Sequence, residues 1–406
     1  GLLPQSSIMK KNVILIILLL PILLFGQNVS IDFKEGTLEE ALRDAKQSGK
    51  PLFLYVHSDA CYPCRVMEKN VFPDKEVSSY YNTTFVDYKI NFDEDRGKVL
   101  EKQFRITFVP TYLYFDEDGV LLHKSGSGKS AQAFIQDGKN ALDSPQAYIS
   151  LKNKYYRGDR STEFIYNFSN TLLDVSDSPD IRNEVVEVYL QSLNKDVLSS
   201  KDLDYIVKQT QNINDASAKY YFNMQKPISQ LIGEEAMQKK NRGLIGNAAD
   251  EAGIKNDTVQ INYIKQLINE SGIANHDQLM SLTDVRYFLS RFLKEKNKWN
   301  QYADAAIEYG RKYAAKDNHT LYEAAFYINY YSDNKAALQK ALKIINIAIS
   351  GKKTYNNLLL KTKILHKSGK KKEALAIVQQ AIQSASPEDD TGEAKDLMEK
   401  IKKSKR

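Results

Sequence analysis

Hydrophobic and polar positions follow two different patterns along the chain. Up to about residue 142, short apolar runs of strand length alternate with segments of helical periodicity. From Gln146 onward strand patterns nearly vanish, and helical periodicity recurs between separators rich in Asp, Asn, Ser and Gly. The change at Ser144 and Pro145 marks a domain boundary. We therefore expect an α/β domain followed by an all-α domain of helical repeats.

The first region predicts a central mixed sheet flanked by helices. Residues 29–33 alternate between apolar and polar, as in a half-buried strand. Thr37 and Glu40 form a capping box that starts a helix, and Gly49 ends that helix. Residues 51–56 are almost continuously apolar, which predicts a buried central strand. Further predicted elements are a strand over 85–91, a helix over 93–104, a hairpin over 106–123 and a closing helix over 131–142.

Composition and charge narrow the possible functions. The hydrophobic content of 42% and the charged content of 27% are typical of a soluble globular protein. The net charge of +6 comes from scattered lysines, which does not fit the clustered Lys and Arg of a nucleic-acid surface. Cys61 and Cys64 are the only cysteines, which excludes a multi-disulfide scaffold and a four-thiolate zinc site.

The N-terminal segment has the pattern of an export signal. Lys10 and Lys11 precede a strongly apolar run over residues 13–25, which is short for a membrane span. We expect a signal peptide over 9–26 that is cleaved near Gly26, and upstream extra residues over 1–8. The alternative is an uncleaved membrane anchor. Either way the rest of the chain is expected in the periplasm or secreted, where disulfides persist.

A cysteine pair follows the predicted central strand. Residues 57–68 read His-Ser-Asp-Ala-Cys-Tyr-Pro-Cys-Arg-Val-Met-Glu, a Cys-x-x-Cys motif that leads into a helical segment. At the start of a helix, unpaired backbone N–H groups and the helix dipole favour a thiolate at Cys61. Cys64 lies one turn further in, less exposed and close enough for a disulfide. These positions assign the attack on a substrate disulfide to Cys61 and resolution of the mixed disulfide to Cys64.

These motifs carry a family resemblance. The matching positions are Lys50-Pro51-Leu52-Phe53, Cys61-Tyr62-Pro63-Cys64, Met67-Glu68, Val71-Phe72, Val77 and Val109-Pro110-Thr111. With the element order, they resemble the thioredoxin superfamily, most of all exported members related to the C-terminal domain of the transmembrane reductase DsbD. The resemblance implies that Pro110 is cis and faces the Cys61 sulfur, and that Val109 lines a groove for an extended substrate segment. Tyr62 and Pro63 are expected to contact substrate and to tune the redox potential.

One position departs from that family. Thioredoxin itself has a buried acid six residues before the first cysteine, which helps to move protons at the second cysteine, whereas this chain has Tyr55 there. Asp59 and Glu68 are candidate substitutes, or else they are solvated surface charges. His57 either stabilises a Cys61 thiolate when protonated or is a partly exposed histidine without a role.

The last part of the chain contains an internal repeat. Residues 341–349 align with residues 374–382 at an offset of about 33, close to the tetratricopeptide period. A fainter copy covers 306–314, and Gly369 and Pro387 also fit. The segment resembles tetratricopeptide repeats, which implies a concave face for a protein partner; alternatively, the helices only stabilise their neighbours. We expect a thioredoxin-like domain over 28–143, a helical domain over 144–298 and tetratricopeptide-like repeats over 299–406.

The sequence favours an exported thiol–disulfide oxidoreductase that acts on exported proteins and is recycled by an unidentified redox partner. The alternative is a non-catalytic module in which the helical repeats bind a protein partner and the Cys61–Cys64 bond is structural. A third reading is a metal site of Cys61 and Cys64 with His57 or His123, whose spacing is unpaired. We expect no cofactor, no metal and no nucleic-acid partner. Residues 126–130 lack the spacing of a phosphate-binding loop.

Overall fold

The computed structural model describes residues 30–175, 179–194 and 197–404. The predicted signal segment lies outside these described residues. The described chain separates into two compact units, one of residues 30–158 with 174–175 and one of the remaining residues from 159. Each unit is described by itself.

The first unit is a five-stranded mixed sheet flanked by helices. Its elements are β1 (Lys34–Glu35), α1 (Leu38–Ser48), β2 (Leu52–His57), α2 (Tyr62–Val66), a π-helical turn (Met67–Val71), α3 (Lys75–Thr84), β3 (Val86–Asn91), α4 (Asp95–Phe104), β4 (Thr111–Phe115), β5 (Leu121–Gly126), α5 (Ala131–Leu142) and α6 (Tyr148–Tyr156). The strand order is β1-β3-β2-β4-β5. β1, β3 and β2 run parallel, whereas β4 and β5 are antiparallel to their neighbours.

Strand β2 lies at the centre of this sheet because its sequence is apolar on both faces. It pairs with β3 on one side and β4 on the other, and residues 52–56 are buried. Phe53 and Tyr55 face a mainly aromatic cluster, whereas Leu52 and Leu54 face a second cluster of mixed aliphatic and aromatic side chains. The predicted central strand is confirmed. Its carboxyl end therefore fixes the position of the segment that follows it.

The start of the chain differs from its predicted structure. Residues 30–33 are not a strand, and only Lys34–Glu35 pairs with β3. The Ile31 N–H donates to the Phe72 carbonyl oxygen at 3.2 Å, and the Asp32 N–H donates to Asn82 Oδ1 at 2.9 Å. These two N–H groups therefore do not pair with a neighbouring strand. Ile31 is buried although its segment is not part of the sheet.

Helix α1 is bounded as its sequence predicts. The Glu40 N–H donates to Thr37 Oγ1 at 3.2 Å, and the Thr37 N–H donates to Glu40 Oε2 at 2.8 Å. Gly49 ends the helix with a φ of 61°, in the left-handed region that glycine adopts freely.

A buried carboxyl group lies in β3. Asp87 is opposite Phe53 in the sheet, is 5% exposed, and its Oδ1 has no hydrogen-bond partner. Burial raises its pKa from 3.8 to about 7, although the Lys50 charge opposes this shift. The folded protein therefore binds this proton more tightly than the unfolded chain does.

The free energy of unfolding should consequently depend on Asp87. Its contribution is fully present below about pH 4 and is lost as pH rises through about 7, a change of about 4 kcal/mol. We expect Asp87→Asn to become stabilising relative to the wild type between these limits, measured by urea unfolding at several pH values. Glu117 is exposed, so Glu117→Gln is the control, and its unfolding free energy should depend on pH as that of the wild type does. The raised pKa of Asp87 would be contradicted if the unfolding free energy of Asp87→Asn depended on pH in the same way as that of the wild type.

The first unit extends beyond the predicted boundary at Ser144. Helix α6 packs against β5, and the Tyr148 N–H donates to Nδ1 of the buried His123 at 2.9 Å. The structural division therefore follows Gly158. Residues 144–298 and 299–406, expected as separate domains, share one second unit apart from the segments assigned to the first.

The regular elements of the described second unit are all helical. They are α7 (Thr162–Val175, whose last residues group with the first unit), α8 (Pro179–Ser192), α9 (Ser200–Gln209), α10 (Ala218–Asn223), α11 (Gln225–Ile232), α12 (Glu234–Lys255), α13 (Thr258–Glu270), α14 (His276–Lys294), a 3-10 turn (Lys296–Lys298), α15 (Trp299–Tyr313), α16 (Asn318–Tyr331), α17 (Lys335–Gly351), α18 (Tyr355–Lys367), α19 (Lys371–Ser384) and α20 (Gly392–Lys403). Within the described ranges, no helix has the length and apolarity needed to cross a membrane.

Helices α15 to α20 form three successive pairs. The first helices of the pairs begin at constant spacing, at residues 299, 335 and 371, and each carries a buried alanine, namely Ala306, Ala341 and Ala374. Small side chains let neighbouring helices approach closely, and each pair packs on the next. The predicted fold class, a mixed α/β domain followed by a helical region, is confirmed.

Candidate functional site

The cysteine pair lies just beyond the carboxyl end of β2. Cys61 and Cys64 form a disulfide, with their Cα atoms 5.3 Å apart. Cys61 is the N-cap of α2. The loop before it is held in place because the Cys61 N–H donates to the Ser58 carbonyl at 3.0 Å and Ser58 Oγ donates to Asp93 Oδ2 at 2.5 Å.

The two sulfur atoms have different environments. Cys61 is partly exposed, and its Sγ accepts a hydrogen bond from the Cys64 N–H at 3.1 Å. Cys64 is fully buried in the aromatic cluster that includes Tyr55 and Met67. A backbone N–H at a helix start stabilises negative charge on Cys61, whereas burial opposes negative charge on Cys64. An incoming sulfur atom therefore reaches Cys61 more easily.

The loop before β4 faces the first cysteine. The peptide bond between Val109 and Pro110 is cis. Cys61 Sγ lies 3.4 Å from the Val109 carbonyl oxygen. Val109 is half-buried and Pro110 is buried. The structure thus brings Cys61, Val109 and the adjoining Pro110 together, although they are distant in sequence.

The two residues between the cysteines lie at the surface. Tyr62 is 70% exposed, and the Arg65 guanidinium carbon lies 5.9 Å from the centre of its ring. Pro63 is exposed and faces Gly128, where a Cβ would be 3.9 Å from Pro63 Cβ. The segment that contains Gly128 thus forms a further side of this surface.

Gly126 is required by the close packing beneath this loop. A Cβ on it would lie 2.7 Å from the Phe108 ring and 2.9 Å from the Pro110 carbonyl oxygen. Because neither the ring nor the backbone can move away cheaply, a larger residue would displace the Val109–Pro110 segment. This contact was not visible in the sequence pattern.

The ionisable groups near the cysteines form a small cluster. The Tyr55 hydroxyl donates to Glu68 Oε1 at 3.1 Å. His57 Nδ1 lies 3.9 Å from both Glu68 Oε1 and Asp59 Oδ1. Burial lowers the pKa of His57, although Glu68 opposes this shift, and burial raises the pKa of Tyr55. These shifts favour a neutral imidazole at neutral pH, which weakens the hypothesis that a protonated His57 stabilises the Cys61 thiolate.

A buried polar network outside the cysteine site was missed by the sequence analysis. Asp137 on α5 is 3.2 Å from His123 Nε2, accepts from the Tyr114 hydroxyl at 3.1 Å, and also accepts from Ser125 Oγ. Burial alone would raise the Asp137 pKa, but the His123 hydrogen bond and the Lys129 charge hold it below its usual range. Because His123 Nδ1 accepts from the Tyr148 backbone, its Nε2 is the nitrogen that donates to Asp137.

Both ring nitrogens of His123 are occupied by hydrogen bonds in this network, to Asp137 and to the Tyr148 backbone. In the described part of the chain, no group of three or more His, Cys, Asp or Glu side chains could hold a metal ion. The arrangement of the cysteine site itself is suited to thiol–disulfide chemistry, since it pairs one accessible and one buried sulfur atom.

Comparisons with known proteins agree with this geometry. Residues 38–140 match the sequence model of a family described as a thioredoxin-like domain. The chain is 29% identical over 99 residues to the thiol:disulfide interchange protein DsbD of Pseudoalteromonas atlantica and 32% identical over 76 residues to that of Yersinia pestis. These alignments cover 24% and 18% of this chain, but only 16% and 13% of the two relatives.

A solved structure is also similar to part of the chain. It is described as a putative disulphide-isomerase from Bacteroides thetaiotaomicron, and it is 29% identical with a TM-score of 0.28. The match covers 29% of this chain and 98% of that one. The family match and the observed sheet together lead to one conclusion: residues 38–140 form a thioredoxin-like domain that carries the Cys61–Cys64 disulfide, and a long helical region follows it.

Proposed function

We propose that this protein is an exported thiol–disulfide oxidoreductase that exchanges disulfides with protein substrates through Cys61 and Cys64. The observation that carries the proposal is the unequal environment of the two sulfur atoms, with Cys61 at a helix start and Cys64 buried. The DsbD relatives are named thiol:disulfide interchange proteins, which supports the same reaction class.

The proposed reaction proceeds in two balanced steps. In the reduced protein, the Cys61 thiolate attacks one sulfur of a substrate disulfide, so that a mixed disulfide forms and one substrate thiolate leaves. Cys64 then loses its proton and attacks Cys61 Sγ, which releases the second substrate thiolate and forms the Cys61–Cys64 disulfide. Two electrons pass from the cysteine pair to the substrate. The reverse sequence oxidises a dithiol substrate.

The substrate is proposed to lie across the surface around Cys61. Val109 and Pro110 border the Cys61 sulfur, and the exposed Tyr62 and Pro63 lie beside it. An extended segment placed there would meet backbone groups near Val109 and side chains of Tyr62 and Pro63. We propose these four residues as the substrate-binding surface.

Export and recycling complete the proposal. The apolar run over 13–25 after Lys10 and Lys11 supports export to the periplasm or beyond. A separate redox partner would then return the cysteine pair to its starting state.

The three helix pairs of the second unit support tetratricopeptide-like repeats over 299–406 as a surface for a further protein partner.

The equilibrium potential of the cysteine pair tests this function. We expect a value roughly between −120 and −270 mV, the range of exchange catalysts, measured by thiol alkylation in glutathione or dithiothreitol buffers. Insulin-disulfide reduction should accompany it. A potential well below about −300 mV without insulin reduction would instead mark a structural disulfide, and the helical unit would then be the functional part.

A further inference from the structure

The side chain of Arg65 extends back toward the start of α2 and binds the loop before the cysteines. Its Nη1 donates to the Asp59 carbonyl oxygen at 2.8 Å, and its guanidinium carbon lies 5.9 Å from the centre of the Tyr62 ring. Side chains in a helix point toward the N-terminus of that helix, so a residue one turn after Cys61 can reach this loop. Residues 59 and 62 flank Cys61, and the guanidinium is therefore held close to it.

Helix stability does not account for this orientation of Arg65. A positive charge near the start of a helix opposes the helix dipole, so it is unfavourable for α2 itself. The side chain is exposed, and within the described residues its guanidinium forms no ion pair with a carboxylate. The charge of Arg65 is thus fixed in place by a backbone carbonyl and is not neutralised by a partner.

The other ionisable groups around the cysteine loop do not supply a second positive charge at Cys61. Burial lowers the pKa of His57, which favours its neutral form. The Lys129 ammonium, which follows β5, lies 3.8 Å from Asp137 in the buried network. Residues 108–111, before and at the start of β4, contain no ionisable side chain. The remaining groups are carboxylates, namely Asp59, Glu68 and Asp93, which disfavour a negative sulfur.

We propose that Arg65 is a positioning residue of the cysteine site, which fixes the loop around Cys61 and holds the positive charge that stabilises the Cys61 thiolate. The inference rests on the proposed exchange function, in which this thiolate attacks the substrate. A nearby guanidinium favours the charged form of a thiol, and it adds to the effects of the Cys64 N–H and the helix start. It also offsets the three carboxylates.

The pH dependence of alkylation at Cys61 tests this role. Reduced protein is treated with iodoacetamide across the pH range in which a thiol titrates, and the adduct at Cys61 is quantified by peptide mass. Arg65→Met should shift the midpoint of the rate profile upward by roughly 0.5 to 1 pH unit. Below the midpoint the rate should fall about two- to fourfold, because a smaller thiolate fraction is partly offset by higher nucleophilicity. Above the midpoint the rate should equal or exceed that of the wild type, which a merely structural loss would not produce.

Lys69→Met is the matched control, because Lys69 is an exposed cation one turn further along from Arg65. It removes the same charge at a greater distance from Cys61, so the midpoint should stay nearly that of the wild type. Arg65→Lys keeps the charge without the planar fork and should restore at least half of the shift.

Two results would overturn the proposal: an unchanged midpoint in Arg65→Met, even with a lowered melting temperature, or an equal shift in Lys69→Met. Alkylation needs no disulfide substrate. A wild type that fails to reduce insulin would therefore reject the exchange function, whereas the alkylation midpoints would still report whether Arg65 acts on the Cys61 thiolate.

Discussion

Replacing Cys61 with serine is expected to lower insulin-disulfide reduction by at least about a thousandfold, because no other accessible sulfur can start the exchange. Cys64 is fully buried, so it cannot take over the attack without opening the aromatic cluster around it. The rate should be measured with excess dithiothreitol, under which the wild type and the variant both lack the disulfide. The difference between the two rates then reports the loss of the attacking thiolate and not the loss of the stability that the Cys61–Cys64 disulfide provides.

Cys64→Ser provides the contrasting variant. It retains the Cys61 thiolate but cannot resolve the first intermediate, so we expect it to attack a disulfide-bonded peptide, release one peptide thiolate and accumulate the mixed disulfide with the other half. Intact-mass measurement without reductant detects this adduct. Cys61→Ser should form almost none. If Cys61→Ser captured the peptide as fast as Cys64→Ser, the assignment of the attacking sulfur would be wrong.

The second large effect is expected at Asp137. Its carboxylate accepts from the buried His123, Ser125 and Tyr114 and lies 3.8 Å from the Lys129 ammonium. Asp137→Ala leaves these groups buried without their acceptor, and such losses cost roughly 3–5 kcal/mol of unfolding free energy. Urea unfolding under reducing conditions measures the change.

Gln132→Ala serves as the control for that experiment. Gln132 lies on the same helix, α5, but is exposed, so the unfolding free energy should change by less than about 0.5 kcal/mol. A loss below about 1 kcal/mol in Asp137→Ala would show that water replaces the carboxylate and that the network contributes little.

The parts of the fold that local signals determine were predictable. The capping box at Thr37, the left-handed Gly49 and the apolar run of β2 each act within a few residues, and all three are present in the structure. The cysteine site follows from them, because a strand that leads into a helix places Cys61 at the helix start. Its chemistry depends mainly on this local geometry.

The features that depend on distant contacts were not predictable from local patterns. Residues 30–33 have a strand pattern, but their donors find Phe72 and Asn82 instead of a neighbouring strand. Nothing in the local sequence around Asp137 distinguishes it from other polar residues of a helix. Only the folded structure brings its carboxylate to His123. Likewise, the sequence showed Tyr55 in place of the family's buried acid and offered Glu68 as a candidate substitute, whereas the structure joins these two residues by a hydrogen bond.

The helix α6 has a consequence for where this protein can be divided. A fragment that stops at Leu142 would uncover strand β5 and leave His123 Nδ1 without the Tyr148 N–H, whereas one that continues to Gly158 keeps both. The segment that keeps these contacts of the first domain is therefore longer than the matched segment over 38–140. Recombination or linker insertion after Gly158 should therefore disturb the first unit less than a cut after Leu142, and the contribution that remains to be lost there is that of residues 174–175, which also group with the first unit.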